Sequence, residues 1–425
     1  MLAKKFYPSI FIFLIFTFFC LGFYLDENSA GAGGYSGDLS HIFKNQQTFI
    51  NNTLKKAIYY TTIYAPEHFQ SSKMPLIYIV NKFLNPFADN IEHWRKSIFA
   101  LSCTIPIFLY FTLVKKYNDS NKYNIALISS FLFLSPYFRT SGYWGLEENF
   151  GILALIISYF FFYKLIDNKE NNILIIVLIT FSSSLCVYFD QKLVIVPIIC
   201  FLNIILSNNS SNLKIFTTSL YLIFSIPCFY LIHLWGSVIP FRDASIRNVG
   251  EINLENIIFC ITIISFYLFP LVFIKKEKIK LTVHNFLKSK INLFFIFIFL
   301  IYLIYLFFFN EFKIPVLGGG IFAKISILLF ENFLFQKIFL VFVSIISLLI
   351  ILFFLNNNYH DSLILIFFIA LSVIMSPIYQ EYFDPLITLL ALTFFKTKLL
   401  LNYKNTLIIL SYYSVFLVGS NIFYL

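Results

Sequence analysis

The chain has 425 residues, 59% of them hydrophobic and 12% charged, with a formal net charge of +10 and a mean hydropathy of +0.81. So little charge cannot cover a soluble surface, and apolar runs of about 20 residues recur from end to end, which excludes a water-soluble globule and defines a polytopic membrane protein. The six cysteines (Cys20, Cys103, Cys186, Cys200, Cys228, Cys260) all fall inside apolar runs without metal-ligand spacing, which argues against a disulfide scaffold or a zinc module.

The first run, residues 6–25, follows Lys4 and Lys5. It is longer than the apolar core of a cleaved signal, and acids intervene before the small-residue stretch Ala30-Gly31-Ala32, so it reads as a retained span. Residues 26–95 form the one extended loop, opening with DENSAGAGGYSGDLSHIFKN. A loop of that length is functional or disordered, and this one carries helical patterns. QQTFINNTLKKAIYYTTIY predicts an amphipathic helix with Ile50, Leu54, Ala57, Ile58 and Thr61 on one face. MPLIYIVNKFLNPF predicts a second, with Pro75 in its first turn and a stripe of Leu76, Ile79, Val80, Phe83 and Phe87. Both are expected to lie in the membrane interface.

Further spans are expected near 97–114, 123–138, 146–166, 172–189, 192–207, 214–235, 254–274, 291–309, 334–355, 362–378, 386–395 and 405–424. The short run at 386–395 makes the total 12 or 13. No linker or repeat divides the chain, so the expectation is an all-α, polytopic transmembrane helix bundle forming one domain over residues 1–425.

Lys4 and Lys5 put the amino terminus in the cytoplasm. Alternation then gives the cytoplasmic loops 17 lysines, no arginine and five acids (Asp119, Asp167, Glu170, Glu277, Asp361). The remaining acids and all four arginines (Arg95, Arg139, Arg242, Arg247) fall on the outer side. The positive balance is therefore a topology signal and gives no reason to invoke nucleic acid. It also puts the residues capable of chemistry outside, in an inner bacterial or an ER membrane.

Among those residues the candidate catalytic carboxylates are Asp38, the first choice as base, Asp26, the second, and Glu27, which could orient either one, with His41 about one turn beyond Asp38 to position a sugar hydroxyl or a phosphate. Arg139, Arg242 and Arg247 are candidates for phosphate, which the guanidinium fork fits well. PVLGGGIFAK offers backbone N–H groups and Lys324, or simply a flexible turn. In YWGLEENFG, Trp144 and Glu147 suit sugar recognition, although Trp also anchors spans at interfaces. Glu381 and Asp384 in YQEYFDP stand in the same position. No His/Cys/Asp/Glu group has metal spacing, so no metal ligand is assigned.

Asp38-Leu-Ser-His41-Ile42 followed by Gln46 resembles the first-loop signature of the ER α-1,2-glucosyltransferase family that uses dolichyl-phosphate glucose, where an acidic pair precedes His-Ile and a glutamine. SSKMPLIYIV resembles that family's Pro-containing segment, FRTSGYW its Arg-Gln-Thr-Asn segment and YQEYFDPLI its aromatic-Pro segment. YLDE with a later Pro-Leu is similar to GT-C glycosyltransferases more broadly. The acidic pair Asp26-Glu27 lies well before Asp38, which leaves Asp26 and Asp38 both open as the family carboxylate. The resemblance implies an inverting hexosyltransferase that takes sugar from a polyprenyl-phosphate donor to a lipid-linked or surface-glycan acceptor. A polysaccharide polymerase or ligase is the alternative enzyme, although its largest outer loop is expected later in the chain. A flippase or transporter is expected to carry mid-span charge or paired broken helices, and neither stands out here.

Overall fold

The computed structural model describes residues 3–30, 34–64, 71, 73–118, 120–167, 173–206, 210–240, 252–276, 289–309, 312–315, 318–355, 358–374 and 377–424. Among them the fold is helical, with one isolated bridge between Lys275 and Leu399 as the sole β-type pairing. Two compact units form: residues 1–246 with 410–425, and residues 247–409.

The first unit opens with α1 (Ala3–Tyr24) and a short π-helical turn (Tyr35–Leu39). The loop helices α2 (Ser40–Asn51), α3 (Leu54–Thr62) and α4 (Leu76–Leu84) follow. Next come α5 (Ile91–Lys116), α6 (Lys122–Ser129), α7 (Pro136–Trp144) and α8 (Glu148–Asp167). The helices α9 (Ile173–Phe189), α10 (Ile195–Ile205) and α11 (Ser211–Trp235) complete the run. The second unit holds α12 (Asn256–Val272), α13 (Lys290–Phe309), α14 (Gly320–Leu329) and α15 (Phe333–Leu355). It continues with α16 (Tyr359–Ser372), α17 (Leu386–Leu392) and the start of α18 (Tyr403–Tyr424), whose residues from 410 belong to the first unit.

Seven of these helices, α1, α5, α8, α11, α13, α15 and α18, are long and apolar enough to cross a membrane, and six apolar stretches are shorter. The chain is thus a multi-pass helical membrane protein. Small side chains let apolar helices approach: Ser182 and Ser183 of α9 are buried, and Ser265 of α12 donates to Ser347 of α15 at 2.7 Å.

Three boundaries depart from expectation, each for a local reason. Helix α5 starts six residues before the expected span because Asn90 caps it, accepting from the N–H of Glu92 (2.9 Å) and His93 (3.1 Å). The run expected over 123–138 breaks at Ser135-Pro136: the chain tightens to a 3-10 turn at Ser130–Leu134 and restarts as α7, with Ser135 as its cap. The helix expected across residues 46–64 is two helices, parted at Asn52, whose backbone is extended. Lys82 of α4 donates to Phe49 O (2.6 Å) and Asn52 O (2.7 Å), closing the end of α2 with a cation. Phe49 stacks on Tyr78 at 5.1 Å, so α2 and α4 pack as one body.

The apolar stripe expected on α4 is divided. Ile77, Tyr78 and Asn81 are buried, whereas Phe83 and Phe87 are exposed. Leu76, Ile79 and Val80 of the expected stripe are half-buried, so the stripe is only partly outward.

Segments far apart in sequence meet within each unit: in the first, Asp26 with Arg95, Glu27 with Arg139 and Lys73 with Glu147; in the second, Gly319 N–H with Ile378 O at 2.7 Å, Lys276 N–H with Lys398 O at 3.0 Å and Lys396 N–H with Asp361 Oδ1 at 2.8 Å.

Candidate functional site

Where α1 ends, the chain turns sharply and Asp26 takes a φ of +53°, a conformation short polar side chains tolerate better than most. The turn sends Glu27 back along the last turn of α1, its N–H bonded to Gly22 O at 3.0 Å. A side chain at Gly22 would collide with the Arg139 guanidinium, the Glu27 carboxylate and the Tyr143 hydroxyl. The glycine is therefore the notch in α1 that admits a buried ion pair.

Arg139 fills that notch and is fully buried. Its Nε donates to Glu27 Oε1 at 2.8 Å and its Nη2 to Glu27 Oε2, a two-pronged grip. Nη1 donates to Phe133 O (2.8 Å) and Nη2 also to Phe18 O (3.3 Å). Arg95, from the first turns of α5, repeats the pattern one layer further out. Its Nε donates to Tyr143 O (2.7 Å), and its Nη2 to Phe23 O (3.2 Å) and Asp26 Oδ1 (2.6 Å). Its guanidinium lies over the rings of Phe23 (4.5 Å) and Trp144 (4.4 Å). Trp144 Nε1 in turn donates to Glu27 O at 3.2 Å. Two acids and two arginines thus form a neutral knot at the mouth of α1.

The two acids differ in access. The Glu27 side chain is 12% exposed and both its oxygens are held by Arg139, whereas the Asp26 side chain is 64% exposed and is held through Oδ1. Asp26 is a fixed carboxylate with an accessible face. Asp38 is half-buried within the π-helical turn and does not cap α2, and His41 sits, partly buried, in the first turn of α2.

A second cluster lies where the loop before α4 meets α8 and the turn after α9. Lys73 Nζ is 2.5 Å from Glu147 Oε1 and 3.3 Å from Glu148 Oε1. Lys192 Nζ is 3.6 Å from Glu148 Oε1 and 3.4 Å from Asp190 Oδ2. Three carboxylates share two lysines. Burial, together with the Glu148 carboxylate, pushes Glu147 up to about 7 despite the pull of Lys73. Burial would lower Lys73, but Glu147, Glu148 and Asp190 outweigh it and hold the ammonium well above its usual range. Burial, with Glu147 nearby, also pushes the Tyr78 hydroxyl up to about 12. An apolar cavity of about 340 Å³ opens between α3, α4, α9 and α11, lined by residues that include Ile58, Ile79, Leu185, Tyr188, Phe224 and Leu231.

The structure therefore brings Asp26, Glu27, Arg139 and Trp144 together and sets Glu147 in the neighbouring cluster. Lys324, Glu381 and Asp384 belong to the second unit. Arg242 and Arg247 lie outside the described residues. The three glycines at the start of α14 have a packing reason. Gly318, Gly319 and Gly320 all have positive φ (+89°, +73°, +75°), a side chain at Gly318 would strike Ile378 O, and the Ile321 N–H is taken by Gln380 Oε1 at 3.1 Å. Sequence reasoning assigned no role to Arg95, Lys73, Asp190 or Lys192, while Glu148, a sugar-recognition candidate in YWGLEENFG, is held between Lys73 and Lys192. Gly22 in the last turns of an apolar span was the available signal for the knot. Among the described residues no group of three or more His, Cys, Asp or Glu side chains is placed to hold a metal ion. No protein-family model, curated protein or solved structure matches the chain.

Proposed function

We propose that this protein is a GT-C-like membrane glycosyltransferase that moves a sugar, with inversion, from a polyprenyl-phosphate donor to a lipid-linked or surface-glycan acceptor on the non-cytoplasmic face. The observation that carries the reading is Asp26, a carboxylate fixed by Arg95 yet 64% exposed at the mouth of a membrane helix. An alcohol attacks poorly unless its proton is accepted as the new bond forms, and a positioned carboxylate contributes about 10²–10⁴-fold. In the proposed step the acceptor oxygen bonds to the anomeric carbon while its proton passes to Asp26. The bond from that carbon to the phosphate oxygen breaks, and polyprenyl phosphate leaves with the electron pair.

Glu27 and Arg139 form the floor that holds this turn in place, so Arg139 acts as a positioning residue. Asp38 stands as the second candidate base, with His41 beside it. Arg242 and Arg247 are the proposed partners of the leaving phosphate. The apolar cavity between α3, α4, α9 and α11 suits the first units of a prenyl chain.

The test is release of free polyprenyl phosphate by the purified protein from a panel of polyprenyl-phosphate sugars, with membrane-lipid acceptors present. Acceptor-dependent release of the monophosphate is expected. Release of a polyprenyl diphosphate instead identifies a polymerase or ligase. Movement of labelled lipid across vesicles without release identifies a flippase.

A further inference from the structure

Helix α5 has two faces in its first three turns. Trp94 and Arg95 point into the protein, Arg95 into the knot, whereas His93, Lys96, Ser97, Ala100 and Leu101, at i, i+3, i+4, i+7 and i+8, line a groove of about 610 Å³ on the other side, with the buried Ile98 at its edge. The opposite wall comes from α4 and the segment after it, through Val80, Leu84, Asn85 and Phe87, and Phe150 of α8 also lines it. A cavity of that size is in the range that takes small ligands.

The groove is graded along α5. His93, Lys96, Ser97 and, across from them, Asn85 supply its polar groups, with the Phe87 ring edge-on to His93 at 6.2 Å, and Asn85 Nδ2 donates to Ser97 Oγ at 2.8 Å. Ala100, Leu101, Leu84 and Phe150 form its apolar end. At 1.5 Å per residue, His93 to Leu101 spans about 12 Å, enough to run from a lipid head group to its upper chain. The polar end is cationic. Lys96 is exposed, and among the described residues no carboxylate comes within 4.0 Å of its ammonium. Asp89 and Glu92 are close in sequence but do not line the groove. The other lysines of the folded loop whose contacts bear on this region are engaged: Lys82 caps α2, and Lys73 pairs with Glu147.

We infer that this groove binds one anionic phospholipid, its phosphate at Lys96 and His93 and its chain along Ala100 and Leu101, as a site separate from the knot on the other face of α5. The test is native mass spectrometry of the full chain in detergent, equilibrated with equal amounts of palmitoyl-oleoyl phosphatidylglycerol and phosphatidylcholine. Wild type is expected to retain one phosphatidylglycerol in preference. Lys96→Gln is expected to reduce that preference about fivefold, the effect of one cation near a membrane surface, while Lys55→Gln, an exposed lysine on α3, leaves it intact. Ala100→Trp, which fills the apolar end from an exposed position, is expected to displace both lipids. Equal retention of the two lipids by wild type, or an unchanged preference in Lys96→Gln, overturns the inference.

Discussion

Replacing Glu27 by Gln separates the two acids of the knot most clearly. The change keeps the shape of the side chain and one acceptor oxygen, but leaves the fully buried Arg139 guanidinium without a counter-charge. Breaking a buried pair from one side typically costs about 3–5 kcal/mol. Arg139 retains two backbone carbonyls and the rings of Phe18, Phe19 and Tyr143 at 4.9, 5.6 and 5.3 Å, which offset part of that loss, so about 2–3 kcal/mol is expected. Asp26→Asn breaks a pair whose acid is 64% exposed and is expected to cost about 1 kcal/mol or less. Denaturant titration in detergent, followed by tryptophan fluorescence, measures both. Trp144 donates to the Glu27 carbonyl and reports on the knot directly. A Glu27→Gln protein within about 1 kcal/mol of wild type, or an Asp26→Asn protein that loses as much as Glu27→Gln, would refute the division between a structural acid and an accessible one.

Two further outcomes follow from the same geometry. Glu147 is raised from 4.5 to about 7, so the folded protein binds its proton more tightly than the unfolded chain does. That contribution is fully present below about pH 4.5 and is lost as pH rises through about 7. Wild type is therefore expected to lose more thermal stability between pH 5 and pH 8 than Glu147→Gln does, and parallel melting curves would contradict this. Gly320→Ala, at φ +75° with the Ile263 side chain in the way, is expected to lose more stability than Gly236→Ala, at φ +68° with nothing within 4 Å. The latter bears only the left-handed backbone cost of about 1–2 kcal/mol, and equal losses in the two variants would deny that the glycines at the start of α14 are there for packing.

The long helices were legible because twenty apolar residues have few other uses. What lay hidden was the tertiary electrostatics. Arg139 read as a free phosphate ligand because nothing within a few residues competes for it, while its partner Glu27 lies 112 residues away. Lys73 lay in a polar stretch with no pattern to mark it, and it matters only because the fold carries it to Glu147. The start of α5 was readable from Asn90, a strong capping residue, and the break before α7 from Ser135-Pro136. The hydropathy of the surrounding segments outweighed both local signals. The fold divides the apolar stripe expected on α4: Phe83 is exposed, whereas Leu76 and Ile79 line one cavity and Val80 another, and Phe87 lies beyond the helix end.

The central claim rests on Asp26 as the proton acceptor, and the direct measurement is the rate of polyprenyl phosphate release by wild type, Asp26→Asn and Asp38→Asn under single-turnover conditions, with folding of each checked by its melting curve. The account predicts that Asp26→Asn loses about 10²–10⁴-fold in rate while melting close to wild type, and that Asp38→Asn keeps most of its activity. Full activity in Asp26→Asn, or a loss confined to Asp38→Asn, would contradict it.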